Sequence, residues 1–329
     1  MAVIWREIGP VSHGEQGRVV LITGASSGIG RAAAVACARR GDRLVLAARG
    51  SASLTAAAAE CRALGAPALA VPTDVTDGAA VDALVAAAAD RFGRLDAVVH
   101  SVTVVAYGRF DEVPAAAFDR VVATTLTGAA NVSRAALRRF REQGGGRLVL
   151  VGSLLGKIAV PYMSSYVTAK WGLLGLVRTL QAEARETPGI EVGLVSPGAV
   201  DTPVYRQAAS YLGRGGRPPP PVDKPEKVAR AILRELDRPT RDRSVGPANP
   251  VVVLGFRALP AVYDRLVGPL MRTGGLRREP VPTNDGNVFA PRPAGEATYG
   301  GWGRHWLRPA AAAAAAGAGL GAAALARRR

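Results

Sequence analysis

Cysteine is nearly missing from this chain: Cys37 and Cys61 are the only two in 329 residues. Both fall in Ala-rich stretches, and no disulfide framework, C-x-x-C pair or zinc spacing can be built from them. That pattern fits a reducing cytoplasm, the compartment expected here. Histidine is nearly as scarce, with three. His13, His100 and His305 are scattered without an Asp/Glu cluster, so no metal is expected. A Ser–His hydrolase is disfavoured because Ser153 is not in a Gly-x-Ser-x-Gly elbow and no His follows at a persuasive place. The first residues, Met-Ala-Val-Ile-Trp-Arg-Glu, meet charge at once and lack an apolar run, so no export signal is expected.

Acid is also in short supply. Forty-two Lys and Arg face 26 Asp and Glu, a formal charge of +16. Residues 1–203 hold 21 bases and 17 acids (+4), and residues 204–329 hold 21 and 9 (+12). Such a balance could favour a membrane surface or nucleic acid. Clustering, not total charge, is the nucleic-acid signal. The plainer reading is an Ala- and Arg-rich coding bias, and no nucleic-acid partner is expected. At 48% hydrophobic and 21% charged residues, the chain has enough apolar matter for a sizeable core, which excludes wholesale disorder.

From Gly17 onward, short β-branched runs alternate with longer helical ones. Strands are expected at Arg18–Thr23, Arg43–Ala48, Pro67–Val71, Leu95–Ser101, Arg147–Val151 and Glu191–Val195. Helices are expected from the turn after Thr23 to about Arg40, then at Ser51–Leu64, Asp77–Phe92, Pro114–Glu142 and Ser164–Ala184. Strands of four to seven residues separated by helices of ten or more imply βαβ units and a parallel sheet. The fold class is therefore α/β, a doubly wound parallel sheet with helices on both faces. Its ligands bind beyond the carboxyl ends of the strands. Past Ser196 the pattern loosens into a Pro/Gly loop at Gly213–Pro221, a helix at Pro225–Leu236, a β-rich segment at Ser244–Leu254 and an amphipathic helix at Ala258–Met271.

The turn after the first strand reads Thr23-Gly24-Ala25-Ser26-Ser27-Gly28-Ile29-Gly30. Glycines there let the backbone pass close to a pyrophosphate, and the following helix aims unpaired N–H groups at that anion. Further along, Tyr166 and Lys170 stand four apart on one helical face, thirteen residues after Ser153. A nearby ammonium favours a phenolate, so Lys170 is expected to lower the Tyr166 pKa.

Together these segments resemble the short-chain dehydrogenase/reductase family over roughly Gly17–Pro203, and more loosely to about residue 272. The resemblance implies a Rossmann-type domain that moves hydride between a nicotinamide and a carbonyl/alcohol pair. Ser153, Tyr166 and Lys170 would be the reacting groups. The cofactor would be held by Gly24, Ser26, Ser27, Gly28, Ile29, Gly30, Arg49, Asp74, Val75, Tyr166, Lys170, Pro197, Gly198 and Thr202. Because Ala48 and Arg49 replace the acid that reads a ribose 2′-OH at the end of the second strand, NADP is expected over NAD.

Two departures stand out. His100, Ser101, Val102 and Thr103 occupy the place where the family usually reads Asn-Asn-Ala-Gly. Thr125 takes the place of the Asn that supports a proton-relay water, and as a hydroxyl it has less reach than an amide. A nucleotide-binding regulatory protein on the same fold is the alternative these departures leave open. The family also implies a homodimer or homotetramer.

The flap Val200–Leu212, with Val160, Pro161 and Tyr162, suggests a hydrophobic substrate. Domain limits are expected at 1–16 (N-terminal extension), 17–272 (catalytic domain), 273–308 (Pro/Gly-rich extension) and 309–329 (Ala-rich tail). The tail is eighteen uncharged residues, mostly Ala and Gly, before three arginines. It reads as low-complexity chain, with a surface helix or membrane anchor as alternatives.

Overall fold

The structure, a computed structural model, describes residues 17–303; the expected N-terminal extension, the alanine tail, His13 and His305 lie outside the described residues. In chain order the strands are β1 Val19–Thr23, β2 Arg43–Ala48, β3 Ala68–Pro72, β4 Ala97–His100, β5 Ala106–Tyr107, β6 Gly146–Val151, β7 Ile190–Pro197, β8 Ala209–Ser210, β9 Arg214–Gly216, β10 Arg243–Val245 and β11 Leu276–Pro280. The helices are α1 Gly28–Ala38, α2 Ser51–Ala63, α3 Gly78–Phe92, α4 Ala115–Val122, α5 Gly128–Gln143, α6 Ser164–Glu183, α7 Val204–Gln207, α8 Pro225–Asp237, α9 Asn249–Ala258 and α10 Pro260–Leu270.

Seven strands form one parallel sheet in the order β10-β7-β6-β4-β1-β2-β3. The chain reverses its direction of travel across the sheet between β1 and β4, and the crevice there lies at the carboxyl ends of both. Why these segments pair is plain from their side chains. Val19, Val20, Leu21 and Ile22 are wholly buried, as a strand covered on both faces requires. Val20 and Ile22 join the core under α1 and α8, and Val19 and Leu21 the core under α3, α5 and α6.

Two expected elements differ. The helix expected over Pro114–Glu142 is interrupted by a π turn at Ala123–Thr127 between α4 and α5; such turns sit often at functional sites. The β-rich segment is a strand only at β10. Val251, Val252 and Val253 lie in α9, where Pro250 occupies the first turn, the position that tolerates proline. The segment after β11 turns back onto the sheet's carboxyl edge. Val288 there is fully buried against Val104, Val121 and Ala209.

Candidate active site

The cleft begins where β1 runs into α1. Gly24 and Gly28 adopt φ of +72° and +52°, a region open to glycine and strained for other residues. A Cβ on Gly24 would stand 3.0 Å from the Ser101 backbone, and one on Gly30 only 2.1 Å from the Gly24 carbonyl oxygen. The turn is thus folded as tightly as close approach to a pyrophosphate demands, and these residues fit a dinucleotide. One amide is already engaged: Gly28 N–H donates to the Ala297 carbonyl at 2.9 Å.

A cavity of ≈ 260 Å³ runs from this turn to Tyr166, lined by Gly24, Ser26, Ser27, Gly28 and Ile29 at one end. Gly30 sits behind the turn as its packing partner. Arg49, Asp74 and Val75 line the same end. Arg49 donates to the carbonyls of Asn287 (2.6 Å), Val288 (3.2 Å) and Phe289 (3.4 Å). Burial lowers its pKa. Asp74 accepts from the Thr76 amide and hydroxyl at 3.0 and 2.8 Å and pairs with Arg120. Burial pushes its carboxyl up, but the bonds from Thr76 and Arg120 outweigh it and hold the pKa below the ordinary value. Pro197, Gly198 and Thr202 border the middle of the cavity, and a Cβ on Gly28 would stand 3.1 Å from the Thr202 methyl.

At the far end, β6 delivers Ser153 and α6 delivers Tyr166 and Lys170, all three to the same cavity. Ser153 caps the short turn Leu154–Gly156, its Oγ accepting from Leu155 N–H at 3.1 Å. Lys170, 4% exposed, donates Nζ to the Val151 carbonyl at 2.9 Å. Its Nζ lies 5.7 Å from the centre of the Tyr166 ring. Burial alone pushes Lys170 down to about 7. The expectation of a lowered phenol fails in this state. Burial raises the Tyr166 pKa, and only a hydrogen bond with Ser153 opposes it.

The two departures acquire definite places. His100 is 1% exposed and its Nδ1 lies 2.9 Å from Thr23 Oγ1 across the β1–β4 pair. Its Nε2 has no hydrogen-bond partner among the described residues. Burial, and then the Lys170 charge, push it down to about 3. Thr125 is buried against Thr103, hydroxyl to hydroxyl at 3.2 Å. The π turn instead sets Thr124 on the cavity wall, with a buried Oγ1 that has no partner among the described residues.

The expected flap folds as α7 and then β8, which pairs with β5. Val204 and Tyr205 line the cavity. Leu212 packs with Val105 and Tyr107, and the Tyr211 hydroxyl donates to Asp285 at 2.7 Å. Of the residues before α6, Val160 and Met163 line the cavity.

The sequence profile described as short chain dehydrogenase matches residues 18–211, more than half the chain. This chain is a short-chain dehydrogenase. It is 32% identical over 257 residues to the uncharacterized oxidoreductase YxnA of Bacillus subtilis, covering 77% of this chain and 72% of that one. Among solved structures, a short-chain dehydrogenase from Streptomyces avermitilis is similar with a TM-score of 0.65 and 30% identity, over 77% of this chain and 96% of that chain. An alcohol dehydrogenase from Thermococcus sibiricus, complexed with 5-hydroxy-NADP, matches at 0.60 and 31% over 70% and 95%. The dehydrogenase is accordingly an NAD(P)-dependent oxidoreductase acting on CH–OH/C=O pairs.

Sequence reasoning missed part of the site. Asn287, Pro291 and Glu296 line the dehydrogenase's cavity from a Pro/Gly-rich segment that carries no periodicity, and no local signal marks them. Among the described residues no His/Cys/Asp/Glu group could hold a metal ion, and no helix is long and apolar enough to cross a membrane.

Proposed function

We propose that this dehydrogenase interconverts a hydrophobic ketone or aldehyde with its alcohol, using NADP, with Tyr166 as proton donor and acceptor. The observation that carries the reading is the convergence of Ser153, Tyr166 and Lys170 on the cavity that the glycine turn opens. NADP would lie from Gly24–Gly30, Arg49, Asp74 and Val75 to Pro197, Gly198 and Thr202. When bound, its nicotinamide supplies or accepts the hydride. The Arg49 guanidinium supports NADP because it suits a 2′-phosphate. The 5-hydroxy-NADP held by the Thermococcus relative agrees.

Ser153 would donate to the substrate oxygen and hold it against the phenol. Tyr166 would protonate that oxygen as its charge develops, from the same cavity wall as Ser153. Lys170, anchored on the Val151 carbonyl, would hold ribose hydroxyls and return the proton. Leu155, Val160, Met163, Val204, Tyr205 and Met271 line the substrate end, which supports an apolar substrate. A homodimer or homotetramer is supported by the exposed apolar side chains of α9 and α10, among them Val251, Leu254, Val262, Leu266 and Leu270; light scattering of the purified protein measures it.

The deciding experiment follows NADPH oxidation against hydrophobic ketones, aldehydes and quinones, with NADH and Tyr166→Phe alongside. Turnover that prefers NADPH and disappears in Tyr166→Phe is expected. Nucleotide binding without turnover on any substrate would move the conclusion to a regulatory nucleotide-binding protein. Absence of nucleotide binding would reject both.

A further inference from the structure

β2 ends at Ala48 and is followed by Arg49 and Gly50, so the strand end that commonly presents an acid to the adenosine ribose presents none. A carboxylate stands there nonetheless, brought by the segment after β11. Glu296 lines the cavity alongside Ser26, Ala48 and Arg49. Its Oε2 accepts from the Ser53 hydroxyl in the first turn of α2, and Ser26 of the glycine turn lines the same wall beside it. A Cβ on Gly50 would stand 3.5 and 3.6 Å from the two carboxylate oxygens. One side chain thus bonds the start of α2 and stands beside the phosphate turn and the residues that follow β2.

The chain on either side of Glu296 is held. Ala297 accepts from Gly28 N–H, and the carbonyls of residues 287–289 accept from Arg49. Beyond, the amides of Gly300 and Trp302 donate to Asp201 Oδ1 at 3.0 and 2.9 Å. The carboxylate is therefore a fixed part of the wall.

We infer that Glu296 is a specificity-determining residue of the nucleotide site: it accepts from ribose hydroxyls and opposes a 2′-phosphate, restraining the NADP preference that Arg49 would give alone. The inference rests on the nucleotide-binding reading above and deepens it. A phosphate monoester carries nearly two negative charges at neutral pH, and repulsion between like charges in a half-buried cleft is screened less than in water. Arg49 feels the charges of Asp74, Arg120 and Glu296, in that order, and since Asp74 is paired with Arg120, Arg49 and Glu296 set the balance that remains. Loss of the acid leaves a net cation, and loss of Arg49 leaves a net anion.

The test uses the full chain and reads binding, not turnover. Dissociation constants for NADPH and NADH come from reduced-nicotinamide fluorescence and those for NADP⁺ and NAD⁺ from calorimetry. Glu296→Gln keeps the side chain's volume and removes its charge. It should raise the affinity for NADPH relative to NADH about tenfold, equivalent to about 1.4 kcal/mol. Glu296→Asp, which keeps the charge, should stay near the wild-type ratio, and Arg49→Met should move the ratio the other way. An unchanged ratio in Glu296→Gln overturns the inference. So does equal weakening of both nucleotides, the mark of a wall that is only structural. A wild-type chain that binds neither nucleotide overturns the nucleotide reading and this inference with it.

Discussion

Acid should destabilise this protein through His100, and Asn in its place should remove that sensitivity. The folded imidazole, 1% exposed, resists protonation down to about 3. In the unfolded chain it takes a proton near its ordinary pKa of about 6.5. Between those limits the unfolded state binds more protons, so stability falls as pH falls from 6.5 toward 3. At about pH 4.5, two units below the unfolded value, one histidine contributes a loss of about 2.7 kcal/mol, at about 1.36 kcal/mol per unit. Asn does not titrate, and its amide can meet the Thr23 hydroxyl that now lies 2.9 Å from His100 Nδ1. Urea unfolding of wild type and His100→Asn at about pH 7 and about pH 4.5 measures the effect. Carboxylates common to both proteins cancel in the comparison. Parallel pH profiles for the two would refute the reasoning, because the burial that forbids the imidazolium would then carry no energetic weight.

Other expectations follow from the same geometry. Lys170 is pushed down to about 7, below its unfolded value, so the protein without nucleotide should gain stability as pH rises from about 7 to about 10.4. Lys170→Met should lose that gain in urea titrations while also losing turnover. Gly30→Ala sets a Cβ 2.1 Å from the Gly24 carbonyl oxygen; overpacking of backbone should cost about 1–3 kcal/mol and weaken nucleotide binding, read by melting and by fluorescence titration. Thr125→Val leaves the Thr103 hydroxyl without its partner and should cost about 1–3 kcal/mol of stability. Thr124→Val removes a buried hydroxyl that has no partner among the described residues, so stability should hold or rise; paired denaturation curves separate the two threonines.

The parallel sheet was legible because its signals are local. Runs such as Val19–Ile22 and Leu44–Ala48 are apolar without alternation, as strands covered on both faces must be, and glycine turns punctuate them. Tyr166 and Lys170 were legible because a helix fixes what four residues of separation mean. The π turn was not, since Ala-Thr-Thr-Leu-Thr contains neither Gly nor Pro to mark a break. It decides that Thr124, one residue from the expected position, faces the cavity. Val251–Val253 resembled a strand by propensity, and Pro250 with the surrounding packing made them helical. The lowered phenol was misjudged because burial, which no spacing reveals, acts on Tyr166 and Lys170 alike. Glu296 lay furthest out of reach: its contact with Ser53 spans 243 positions, and nothing around it in the chain encodes that meeting.

The contact between Ala297 and Gly28 also orders events during synthesis. A ribosome delivers β1, the glycine turn, β2 and Asp74 early, and the segment carrying Glu296 about two hundred residues later. At about 5–20 residues per second, that interval lasts on the order of ten to forty seconds. Throughout it, Arg49 and the Gly28 amide lack the carbonyls that later engage them. Until that segment arrives, the surroundings of Arg49 also lack the Glu296 carboxylate. A nucleotide captured then would be enclosed by the last wall to arrive.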